Sequence, residues 1–118
     1  METLAASIPT AATGSMSTPL VHAFIRALLL GSDPAGYISL CKAISEAAVP
    51  QYGSIEIPLL VIAGSEDKSA PLDGVTSIIE QYRSQKKELR VLPGVGHWHV
   101  LEAFSQVQDL ISDFLREL

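Results

Sequence analysis

The chain has 118 residues and carries 8 Lys+Arg against 13 Asp+Glu, a formal net charge of −5, and that sign disfavours a phosphate backbone, so no nucleic-acid partner is expected. With 47% hydrophobic and 18% charged residues the composition is that of a globular chain, and the length allows one small core. The single cysteine, Cys41, has no disulfide partner within the chain. Met1-Glu2-Thr3 lacks the basic region of a signal peptide, and the apolar stretch Leu20 to Leu30 is broken by His22 and Arg26 and is too short to span a bilayer. The expectation is a cytoplasmic protein with no membrane partner.

Residues 1–18 are rich in Ala, Ser and Thr, and Pro9 and Gly14 interrupt any periodicity, which predicts a loop or flexible arm. Pro19 suits the first turn of a helix carrying Leu20, Phe24, Ile25 and Leu28 at helical spacing, with Gly31 at its C-terminal end. Asp33 then reads as the N-cap of a second helix, Pro34 to Ala48. Its stripe of Tyr37, Leu40, Cys41, Ile44 and Ala48 predicts a packed face and a buried, inert Cys41 thiol. Pro50 ends that segment.

From Pro58 the pattern changes. Leu59-Leu-Val-Ile-Ala63 is an apolar run too short for a helix and predicts a strand, Pro58 to Ala63, buried on both faces. A helical stripe follows at Val75, Ile78, Ile79 and Tyr82, then a polar turn, then a strand over Glu88 to Leu92. Trp98 to Leu118 carries Val100, Leu101, Phe104, Val107, Ile111, Phe114 and Leu115, the stripe of one long C-terminal helix. The result is an α/β arrangement whose two parallel strands leave both sheet edges unpaired. They read as the last two strands of a larger doubly wound sheet, and an apolar edge of that kind predicts self-association.

In a parallel α/β sheet, functional groups gather on the loops at the carboxyl ends of the strands. Those loops are Gly64-Ser-Glu-Asp67-Lys-Ser-Ala-Pro71 and Pro93-Gly-Val-Gly-His97-Trp98. Neighbouring strands bring Asp67 and His97 together, with carboxylate and ring nitrogen expected roughly 2.6 to 3.2 Å apart, as the acid and base of a catalytic triad. Glu66 and Asp73 read as solvated loop charges, with Asp73 or Pro71 opening the next helix. His97 and His99, with Asp67 or Glu102, make too sparse a set for a metal site, which needs three or four converging ligands. Glu102 reads as a pairing or capping residue near the start of the last helix, Trp98 and Tyr37 as packing aromatics, and His22 has no evident partner.

The segments Ile57-Pro-Leu-Leu-Val-Ile-Ala-Gly-Ser-Glu-Asp67-Lys-Ser-Ala-Pro71 and Leu92-Pro-Gly-Val-Gly-His97, followed by Glu102, resemble the C-terminal portion of an α/β-hydrolase, in the order acid then base. Asp33-Pro-Ala-Gly-Tyr37-Ile-Ser-Leu-Cys41-Lys-Ala-Ile44 resembles the end of the cap in 3-oxoadipate enol-lactonase-like members. The resemblance implies the end of a helical cap over residues 1–50 and a C-terminal β-α-β-α part of the hydrolase core over residues 51–118. It further implies catalytic roles for Asp67 and His97, a small-molecule ester or lactone substrate, and no cofactor. Members of the family place the nucleophile in a Gly-x-Ser-x-Gly elbow on an earlier strand. No such pentapeptide occurs, and Gly14-Ser15-Met16 is not one. By the family's chain order the elbow is expected upstream of Met1, leaving Ser65, Ser69 and Cys41 as the internal candidates to test. The rival expectation is a catalytically inactive fragment that acts as an interaction module through its open sheet edge.

Overall fold

A computed structural model describes residues 1–118. In chain order it contains α1 (Glu2–Ala11), α2 (Pro19–Gly31), α3 (Pro34–Glu46), a 3₁₀ turn (Tyr52–Ser54), β1 (Leu59–Gly64), α4 (Leu72–Gln81), β2 (Lys87–Leu92), α5 (His99–Glu102) and α6 (Phe104–Arg116). β1 and β2 form a two-stranded parallel sheet in register from Leu59 opposite Lys87 to Gly64 opposite Leu92. Both strands therefore end side by side, and the two loops of interest leave the same end of the sheet. α4 and α6 pack on β1, and α1 packs on α2. No helix is long and apolar enough to cross a membrane.

Residues 1–18 depart from the expected loop, because Glu2–Ala11 is a helix with Pro9 inside it. Three alanines and Glu2 in the first turn favour helix locally. The deciding contribution is tertiary: Ala5 is buried with Ile25 and Leu29 of α2, and Met1, Ile8, Val21, Tyr37, Trp98 and Leu101 pack around them. Pro9 lies near the helix end, so its missing N–H costs one hydrogen bond, and its carbonyl accepts from the Thr13 hydroxyl at 2.6 Å. That hydroxyl proton is thereby used, so His22 donates from Nε2 to Thr13 Oγ1 at 2.9 Å and has the partner that the sequence did not reveal.

Three further expectations need correction. The last helix is interrupted at Ala103, which leaves helical geometry at φ −137°, ψ 44°. Leu101 packs against the Ala5–Ile25–Leu29 cluster, whereas Val107 is buried with Leu92 and Val95. The bend allows the two segments to serve these separate clusters. α3 starts as expected, with the Asp33 carboxylate accepting from Gly36 N at 2.8 Å, but none of its residues is buried and Cys41 is exposed. Its Leu40 and Ile44 are 60% and 68% exposed, because no other part of the chain covers that stripe. The strand expected to be buried on both faces is likewise only half-buried until Ala63 and Gly64.

Only 12 of the 118 residues are buried, and the radius of gyration is 16.0 Å, against about 13.5 Å for a compact domain of this length. Uncovered apolar helix faces and two open strand edges favour association. Size-exclusion chromatography with light scattering should therefore give a mass above the 12.6 kDa of one chain, rising with concentration; a cooperative monomer would contradict this.

Candidate functional site

The site forms where β1 and β2 end. After Gly64, the chain turns so that Ser65 N donates to Leu92 O at 3.0 Å and Glu66 N to Val95 O at 2.9 Å, which ties the first loop onto the second. Asp67 divides its carboxylate between two tasks. Oδ1 accepts from the backbone N–H groups of Ser69 (2.8 Å) and Ala70 (2.9 Å), closing a local turn that fixes the side chain. Oδ2 lies 2.9 Å from His97 Nδ1. The distance falls within the expected window.

The Asp67 side chain is 6% exposed and that of His97 48% exposed. Burial pushes the Asp67 carboxyl up, but the Ala70 N–H, the His97 imidazole and the Ser69 N–H together outweigh it and hold the group below its ordinary value. An ionised carboxylate can only accept, so Nδ1 of His97 carries the proton and donates it. In the neutral ring, Nε2 then bears the free lone pair. Asp67 and His97 thus form an oriented pair able to remove a proton from a hydroxyl and to stabilise the resulting imidazolium.

The second loop owes its course to glycine. Gly94, after Pro93, has φ +71°, a left-handed turn residue. A Cβ on Gly96 would lie 2.5 Å from both Gly14 N and Thr13 C, and one on Gly14 would collide with Gly94 O. Residues 13–14 therefore lie directly on residues 94–96, backbone against backbone. Met16 N donates to Gly94 O and His97 N to Ala12 O, each at 2.8 Å. Gly64 is equally confined, since a Cβ there would meet Val95 O and Gly96 O.

Two carboxylates read differently in place than in sequence. Glu66 is exposed but is not simply a solvated charge: its Oε1 accepts from the Ser15 hydroxyl and its Oε2 from Ser15 N, both at 2.7 Å. The Ser15 hydroxyl and then the Ser15 N–H hold its carboxyl below the usual range. Glu102 accepts from the backbone of Trp98, as capping would require, and also from Gly14 and Gly96. No local pattern announces either link to residues 13–15, which lie 51 and 88 positions away from Glu66 and Glu102 respectively. Trp98 and Tyr37 are packing residues beside the α1–α2 cluster. Asp73 lies in the first turn of α4, whose N-cap is Pro71. No group of three or more His, Cys, Asp or Glu is placed to hold a metal ion.

No protein-family model matches the sequence. Among solved structures, the chain superimposes on an esterase from Thermogutta terrifontis, solved with malate bound, with a TM-score of 0.88 and 20% identity over 98% of this chain and 43% of the esterase. It also matches a serine hydrolase involved in carbazole degradation, the CarC enzyme, with a TM-score of 0.80 and 16% identity over 100% of this chain and 48% of the hydrolase. The chain spans less than half the length of these structures. Its fold is that of part of an α/β-hydrolase.

The lowered Asp67 carboxyl carries a stability consequence. Folding favours its ionised form, so this stabilisation is present above about pH 4, the unfolded value, and is lost as pH falls through the folded-state value. In urea unfolding between pH 7 and pH 3, the stability difference between the wild type and Asp67→Asn should shrink on acidification. A difference that stays constant would show that the carboxylate gains nothing from its partners.

Proposed function

We propose that this chain carries the acid and base of a nucleophile–His–Asp triad that hydrolyses carboxylic esters or lactones, with Asp67 as the acid and His97 as the base. The observation that carries the reading is the 2.9 Å contact between Asp67 Oδ2 and His97 Nδ1, made by a carboxylate whose other oxygen is held by its own loop. The α/β-hydrolase fold, and the esterase and serine-hydrolase neighbours that share it, support the same chemistry.

Asp67 holds His97 in the tautomer whose Nε2 can accept a proton from the attacking hydroxyl and later deliver it to the leaving alkoxide. The negative carboxylate stabilises the imidazolium between these two transfers. No Gly-x-Ser-x-Gly elbow occurs in the 118 residues, so the reading places the nucleophile and the oxyanion-hole donors on residues outside this sequence. An apolar groove of about 320 Å³ lined by Leu20, Val21, Phe24 and Leu101 suits the hydrocarbon part of an ester, and Leu101 connects it to the turn that follows His97. In this reading residues 1–50 form the end of a cap, of the enol-lactonase-like kind, over the core of residues 51–118, and the open sheet edge receives the complementing strands.

The exposed stripes of α3 and the two free strand edges favour a second reading, an interaction module without turnover. A single experiment separates the two. The chain alone should give no burst with p-nitrophenyl acetate. Co-expressed with the elbow-bearing N-terminal half of a related serine hydrolase, it should gain steady hydrolysis, which His97→Ala lowers by about 10⁶-fold and Asp67→Asn by about 10⁴-fold. Hydrolysis that survives His97→Ala, or a stable complex with no turnover, contradicts the triad reading. A burst from the chain alone would move the nucleophile to Ser65, Ser69 or Cys41.

A further inference from the structure

Three consecutive backbone N–H groups surround the proposed base, and none of them is satisfied by regular secondary structure. His97 N donates to Ala12 O at 2.8 Å. The amides on either side, Gly96 N and Trp98 N, donate to the same side chain: Glu102 Oε2 accepts from Gly96 at 3.1 Å and Glu102 Oε1 from Trp98 at 3.1 Å. Oε2 also accepts from Gly14 N at 2.7 Å. One half-buried carboxylate thus receives three N–H donors and holds together the loop before His97, the turn after it and residue 14 of the segment that crosses them.

Only a carboxylate meets this demand. Its two oxygens offer about four acceptor positions and no donor, and hydrogen bonds to a charged acceptor are roughly twice as strong as neutral ones. A glutamine in its place would keep one oxygen and turn an NH₂ group toward an N–H, leaving at least one of the three donors unpaired. The acid side of the pair is anchored without Glu102, through Ser69 N, Ala70 N and the Glu66 N–H to Val95 O. Loosening residues 96–98 therefore moves the imidazole while the Asp67 carboxylate stays in place.

We propose that Glu102 is the positioning residue of the base: by gripping the amides on both sides of His97 and tying them to Gly14, it aims Nδ1 at Asp67. The proposal rests on the reading of His97 as the base, and it assigns Glu102 a task beyond capping a short helix.

The test is the tautomeric state of His97, which a role confined to helix capping would leave unchanged. The chain has three histidines, so a ¹⁵N-histidine sample gives a legible long-range ¹H–¹⁵N spectrum even if the chain self-associates. In its neutral form, wild-type His97 should be the Nδ1–H tautomer with a slowly exchanging Nδ1 proton. Glu102→Gln should lose that slow exchange and become a mixture of tautomers while its far-UV helical signal persists. A Glu102→Gln chain that keeps the protected Nδ1 proton overturns the proposal and leaves the triad reading standing. A wild-type His97 in the Nε2–H form overturns both. If Glu102→Gln does not fold, Glu102→Asp decides: its carboxylate is one methylene too short to reach the Gly14, Gly96 and Trp98 amides together, so it should also lose the slowly exchanging Nδ1 proton, and an Asp variant that keeps it overturns the proposal.

Discussion

Where residues 13–14 cross residues 94–96, two stretches of backbone meet with no side chain between them, and the geometry of the site depends on that contact. A Cβ on Gly96 would sit 2.5 Å from Gly14 N, and neither chain can yield, because the obstructing atoms are peptide groups. A third layer lies beneath them, since Gly64 at the end of β1 is pressed against Val95 and Gly96 in the same manner. The close approach allows Met16 N to reach Gly94 O and His97 N to reach Ala12 O. Each such bond contributes about 0.5–1.5 kcal/mol net, whereas a methyl group forced into a packed contact costs about 1–3 kcal/mol.

Both members of the Asp67–His97 pair are referred to this crossing. Asp67 follows Glu66, whose carboxylate holds Ser15; His97 is flanked by amides that share Glu102 with Gly14. Each side of the pair is thus connected by a carboxylate to the same short segment between α1 and α2. The pair is set by covalent neighbours and backbone contacts, and the imidazole is left half exposed.

The strands and their shared carboxyl end were legible because an apolar run of five residues bounded by Pro58 and Gly64 has few other solutions. Asp67 and His97 were legible because parallel neighbours place the loops after them side by side. Helix α1 was not, since its stability comes from Ile25 and Leu29, about twenty residues further on, while Pro9 carries a local signal against helix. The break at Ala103 was hidden for the same kind of reason: the apolar stripe runs through it, and only the existence of two separate clusters makes the chain bend. Cys41 and the α3 stripe read as buried because periodicity reports that a face is apolar and not what covers it. The reach of Glu66 and Glu102 to residues 14 and 15 is non-local and left no pattern in the sequence.

The crossing of residues 12–16 over residues 94–97 should be the most firmly held part of a chain whose core is otherwise small. Native-state hydrogen exchange measures this directly, amide by amide. The Met16 and His97 amides, whose acceptors lie across the crossing, should exchange as slowly as the paired amides of β1 and β2, opening only when the whole structure opens. If these two amides exchange at the rate of an unstructured loop while the strands stay protected, the crossing does not hold His97 in place, and the central claim fails.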